Sequence, residues 1–152
     1  MNPERKATEI LNEFWDGHLP VDPAKIANRM NVPVLADTAL DDSGFLMETA
    51  DGGWEIHILP TEPSYRKRFT VAHELGHLCL GHGPMPREKG SYSINNYKPM
   101  ERDANVFAAA LIMPLNIIWQ CLEGDYSMQK MMELFNVSES ALTIRLERLG
   151  II

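Results

Sequence analysis

Cysteine, positive charge and long apolar runs are all scarce in this chain, and each shortage excludes something. Cys79 and Cys121 are the only cysteines among 152 residues, too few for a disulfide framework and in keeping with a reducing compartment. No run of about 18 apolar residues exists, so no transmembrane helix is expected. The start, Met1-Asn2-Pro3-Glu4-Arg5-Lys6, has no apolar stretch after its charges, so no secretory signal is read there. Fourteen Lys and Arg face 21 Asp and Glu, giving a net charge of −7 and a pI of about 5.2. A broad nucleic-acid surface needs a basic face, and so does attachment to anionic lipid; the balance opposes both. A cytoplasmic protein is expected. The 45% hydrophobic content suffices for one compact domain over residues 1–152 with its own core.

The most informative stretch is His73-Glu74-Leu75-Gly76-His77. In an α-helix, residues four apart stack on one face, so His73 and His77 can offer imidazole nitrogens to one ion, and Zn²⁺ accepts such ligands tetrahedrally. Glu74 lies about 100° round the helix. It is off the ligand face but within reach of a water at the ion, the placement of a general base for attack on a carbonyl. Three fixed positions also recur by chance on ordinary helices, so the surroundings decide. Ser64 to Gly81 reads as one buried helix, with Phe69, Val71, Ala72, Leu75, Leu78 and Leu80 apolar on more than one side. Two imidazoles and a carboxylate inside such a run are unfavourable unless something pairs with them. A lone core histidine is usually a hydrogen-bonded structural residue; two at this spacing around a glutamate point to zinc.

Two histidines need a third protein ligand if a fourth position is to stay open for water. The metzincin pattern would require glycine at position 80 and histidine at 83; the chain has Leu80 and Gly83, with His82 one residue early. A carboxylate from a later helix is the remaining option. Met100 to Pro114 carries Ala104, Ala108 and Leu111 as an apolar stripe, and Glu101 heads that stripe one turn before Ala104. Asn105 shares its face and can hydrogen-bond a ligating side chain. Alternatively, Glu101 merely complements the positive helix N-terminus.

Arg68-Phe69-Thr70-Val71-Ala72-His73-Glu74-Leu75-Gly76-His77, then Leu80-Gly81-His82, then Glu101-x-x-Ala104-Asn105-x-Phe107-Ala108-x-x-Leu111-x-Met113-Pro114, resembles the ImmA/IrrE-type zinc metallopeptidases. The resemblance reaches upstream through Pro20-Val21-Asp22-Pro23 and Ile26-Ala27 to Ser43-Gly44-Phe45, and downstream through Phe135-Asn136-Val137-Ser138 to Leu149-Gly150. It implies His73, His77 and Glu101 as metal ligands and Glu74 as the catalytic glutamate. It also implies a cytosolic bacterial or phage protein, of a kind often encoded beside a helix-turn-helix repressor that some members cleave. One departure is Leu59-Pro60, where relatives usually carry Asn.

The rest of the chain organises around this centre. Pro3 to Trp15 is an amphipathic helix through Ala7, Ile10, Leu11 and Phe14, and Asp22-Pro23 opens a short helix to Met30. Strands are expected over Val32–Ala36, Gly44–Glu48 and Trp54–Leu59, the last two joined at Asp51-Gly52-Gly53, with His57 on the wet face. Gly83 to Pro99 reads as a long loop between the ligand helices. Tyr92 and Tyr97 within it, and His82 just before it, are candidates for steadying an oxyanion, although each alone is more simply read as structural. Cys79 is a core thiol. Pro114 opens a helix to Leu122, and Ser127–Phe135 and Ser138–Leu149 form a helix-turn-helix outline with net charge −1 from Asp125 onward. That charge disfavours phosphate contact, so Met131, Met132, Phe135, Leu142 and Leu146 are expected to pack back on the domain.

The expected fold is α+β and zincin-like. A small antiparallel sheet over residues 1–62 packs on the active-site helix, residues 63–114 hold the metal helices, and 115–152 add C-terminal helices. The expected function is a zinc-dependent endopeptidase acting on a protein partner, most simply a helix-turn-helix repressor, without direct nucleic-acid or membrane binding. The alternative is a zinc-stabilised regulator that binds a repressor without cutting it; an intact Glu74 argues for catalysis, because a structural zinc needs no base.

Overall fold

The computed structural model describes residues 1–84 and 94–152, the side chains of 94–97 excepted. Among these residues the chain forms seven helices and three strands. Helix α1 (Pro3–Phe14) begins where the Asn2 side chain accepts from Arg5 N at 3.1 Å, with proline at the first helical position. It buries Ala7, Ile10 and Leu11, the i, i+3, i+4 stripe of an amphipathic helix. Asp22 caps α2 (Pro23–Arg29) in the same way through Ala24 N at 3.0 Å.

The sheet is mixed where an antiparallel one was expected. Strands β2 (Gly44–Glu48) and β3 (Trp54–Ile58) form the predicted hairpin, from Gly44 opposite Ile58 to Glu48 opposite Trp54. Strand β1 (Val34–Ala36) instead runs parallel to β3, with Val34 opposite Ile56, in the order β1-β3-β2. Residues 37–43 carry the chain across two strand spacings, about 9.5 Å, and reverse it. The hairpin then returns β3 into the gap beside β1. Leu46 and Ile56 are fully buried on the face toward α3 (Ser64–Cys79).

His57 lies on the opposite face as expected, yet it is not merely wet. Its Nδ1 is 3.0 Å from Asp37 Oδ2 and its Nε2 2.8 Å from Glu55 Oε1. Burial alone would lower the His57 pKa; the hydrogen bonds to Glu55 and Asp37 outweigh it and raise the pKa. A raised folded-state pKa stabilises the fold fully below the unfolded value, about 6.5, and that stability is lost as pH rises through the folded value. We therefore expect His57→Gln to be less stable than the wild type by about 1 kcal/mol at pH 5.5. The gap should close toward pH 8.5, as read from urea midpoints; an equal gap at both pH values would contradict the pairing.

Helix α4 (Ile94–Ile112) begins six residues ahead of the expected Met100 and contains Pro99. Proline was read as a loop signal, yet Pro99 lies within the helix near its start, at the cost of one backbone hydrogen bond. The expected 83–99 loop is shortened accordingly; its residues 85–93, with Tyr92, and the Tyr97 side chain lie outside the described residues. Helix α3 packs most extensively against α4. No single described helix is long and apolar enough to cross a membrane.

Helices α5 (Leu115–Glu123), α6 (Met128–Phe135) and α7 (Glu139–Arg148) complete the order. Ser127 and Ser138 cap the last two, and Asn136 makes the left-handed turn between them. Met131, Phe135, Leu142 and Leu146 are buried in the common core and Met132 packs against it, as expected of a helix pair folded back on the domain. Arg145, on α7, is only 2% exposed. It forks onto the Glu4 carboxylate at 2.5 and 3.0 Å and donates to Met113 O at 3.1 Å. Arg68, read only as part of a motif, donates to Asn136 O at 2.6 Å, Phe135 O at 3.2 Å and Val21 O at 2.8 Å. It thereby ties α3 to the α6–α7 turn, satisfying carbonyls a helix end leaves free.

Candidate metal centre

Helix α3 is buried from Thr70 through Val71, Ala72, Glu74, Leu75, Gly76 and His77. The i, i+4 spacing sets the His73 and His77 rings one turn apart, with centroids at 4.7 Å and planes at 89°. Their Nε2 atoms are 3.1 Å from each other. Glu101, from α4, closes the triangle: Oε1 is 2.8 Å from His77 Nε2 and Oε2 is 3.2 Å from His73 Nε2. These three residues form a group that could hold a metal ion, and the only such group among the described residues. Two imidazole nitrogens on a tetrahedral zinc at 2.0–2.1 Å would stand about 3.3 Å apart. The donor set and spacing fit zinc with a fourth position to spare.

The outer nitrogens are engaged too. His73 Nδ1 is 2.8 Å from Asn105 Oδ1, the partner anticipated one turn beyond Glu101. An amide oxygen accepts only, so His73 donates to it from Nδ1, which leaves Nε2 as the atom that faces Glu101 and would meet an ion. His77 Nδ1 is 2.9 Å from His82 Nδ1. His82, read from sequence as a possible oxyanion stabiliser, is thus in contact with the far side of a candidate ligand.

Burial would raise the Glu101 carboxyl, but the hydrogen bonds from His73 and His77 overcome it and hold the group well below the usual carboxylate range. Glu101 is therefore ionised where a cation would sit. Glu74 is different. It is 9% exposed and absent from the triangle, and its Cγ lies 3.5 Å from where a Cβ on Gly44 would be. Its carboxyl is raised, by burial first, with the charges of His73 and His77 opposing. Burial also pushes the Cys79 thiol up to about 12, so it stays protonated as a core thiol should.

Two glycines set the approach of the elements. A Cβ on Gly44 would overlap the Thr70 methyl, so a larger residue there would force β2 or Thr70 to shift. A Cβ on Gly76 would come within 2.9 Å of Phe107 Cδ1 and 3.3 Å of Ala104 O. Gly76→Ala should normally stabilise a helix interior by roughly 1 kcal/mol. Here we expect the opposite sign: a loss of about 1–3 kcal/mol from overpacking, with weaker zinc binding because α4 carries Glu101 away. Thermal melts and a zinc competition assay measure both. A stabilised variant with unchanged zinc affinity would contradict the close helix contact.

The family model described as the IrrE N-terminal-like domain, a peptidase family, matches residues 27–147. Comparison with curated proteins gives no match. Among solved structures, a Mycobacterium tuberculosis transcriptional regulator aligns over 95% of this chain with a TM-score of 0.68 and 15% identity. The chain spans 46% of that protein's length, and at this identity the likeness concerns the fold.

Proposed function

Because the chain belongs to the IrrE N-terminal-like family of peptidases, we propose that it is a zinc-dependent endopeptidase of zincin-like architecture. The observation that carries this reading is the convergence of His73 Nε2, His77 Nε2 and the Glu101 carboxylate beside the buried carboxylate of Glu74. Zinc, when bound, supplies Lewis acidity that polarises a carbonyl and acidifies water. The chain's own residues do the rest. Glu74 accepts a proton from the attacking water and later passes it to the leaving amine; its raised pKa brings the two protonation states closer near neutral pH. Asn105 orients His73 through Nδ1. Strand β2 is a sheet edge, and Gly44 on it adjoins Glu74. A substrate segment added antiparallel to β2 would take main-chain hydrogen bonds and run past the general base.

The substrate we propose is a protein, with a helix-turn-helix repressor the first candidate. Support comes from the family and from the fold shared with a transcriptional regulator. The test is incubation of the zinc-loaded protein with the repressor encoded beside its gene, with casein in parallel. We expect one cut in the repressor, abolished by a chelator, and little digestion of casein. Sequence-blind digestion of casein would indicate a general protease, and tight binding of the repressor without a cut would favour the non-proteolytic regulator.

A further inference from the structure

We infer that His82 is a positioning residue for the metal centre, holding the His77 ring through Nδ1 and set in place by the turn at Gly81. This rests on the reading of His77 as a zinc ligand given above.

To ligate through Nε2, a neutral His77 must carry its proton on Nδ1 and donate it. His77 is 1% exposed, so bulk water does not serve that nitrogen. The acceptor is His82 Nδ1 at 2.9 Å, which places the His82 proton on its own Nε2. The arrangement depends on how α3 ends. A continued helix would put residue 82 about 140° round the axis from residue 77, unable to reach it. Instead Gly81 adopts φ +76°, Gly81 N donates to Leu78 O at 3.1 Å, and His82 N donates to His77 O at 2.8 Å. This is a Schellman turn, in which the residue two beyond the cap folds back over the third from the end. Residue 82 is therefore bonded to residue 77 twice, through its backbone and through its ring. His73 takes its partner from α4, whereas His77 takes its own from the end of α3 itself. Half of the centre is thus oriented without help from α4.

The test is zinc affinity, measured by competition with a chromophoric chelator, together with the visible spectrum of the Co²⁺-loaded protein. The proteins compared are the wild type, His82→Ala, His82→Asn, Gly81→Ala and the Gly81→Ala/His82→Ala double variant. Loss of an outer-shell partner typically weakens metal binding about 10- to 100-fold, and His82→Ala is expected to fall in that range with an altered Co²⁺ spectrum. The melting temperature of its metal-free form should stay near the wild-type value. His82→Asn, which offers an amide oxygen, is expected to recover most of the affinity. Gly81→Ala strains a left-handed residue and should weaken zinc in the same direction, yet add nothing once His82 is gone. Wild-type affinity in His82→Ala, or additive effects of the two substitutions, would overturn the inference. A wild-type protein that bound no zinc would overturn the zinc reading beneath it.

Discussion

Glu74→Gln is expected to bind zinc within a few-fold of the wild type while cleavage of a susceptible protein falls by about 10²- to 10⁴-fold, the usual contribution of a general base. The amide has the shape of the carboxylate, so packing against β2 beside Gly44 is preserved. It has no basic oxygen able to take a proton from water. The residue is separate from the His73, His77 and Glu101 triangle, so the ligand atoms are untouched. The two readouts should therefore split. A second consequence concerns stability. The Glu74 pKa is raised in the fold, chiefly by burial, so the ionised form opposes folding above the unfolded-state value. Metal-free Glu74→Gln should accordingly melt slightly higher than the wild type at pH 8. Gel-based cleavage beside a zinc competition assay decides the matter. Cleavage at the wild-type rate by Glu74→Gln would remove Glu74 from the mechanism.

His77→Ala should have the opposite profile, losing metal and activity together. His77 is the deepest of the three candidate ligands, and its Nε2 makes the shorter of the two contacts to Glu101. Truncation leaves His73 and Glu101 as a two-point site, which does not retain a tetrahedral ion tightly. Binding to the folded state raises stability by mass action, about 2.7 kcal/mol when ligand stands at 100 times its Kd. The wild type should therefore show a zinc-dependent rise in melting temperature that His77→Ala lacks. Glu101→Ala should shift in the same direction. A zinc-dependent rise of wild-type size in His77→Ala would move the metal away from this centre.

Features that physics confines to one or two helical turns were legible before any folding of the chain was known. The i, i+4 stacking of His73 and His77, the cap at Asp22, and the α1 stripe through Ala7, Ile10 and Leu11 are of this kind. Each depends on backbone geometry repeated every few residues, so spacing alone exposes it. Glu101 was half legible: its place at the head of an apolar stripe marked it, but only the packing of α4 on α3 brings its carboxylate to both Nε2 atoms. Other features had no local signal. Arg145 and Glu4 pair across 141 positions, and Arg68 reaches carbonyls 67 and 68 residues away. The parallel course of β1 was decided by which gap the β2–β3 hairpin left beside it. Even His82, five residues from its partner, was hidden, because the contact exists only after Gly81 reverses the chain. Local periodicity shows which face a side chain occupies. What that face meets is decided by the docking of whole elements, where burial and the pairing of polar groups act together over long separations.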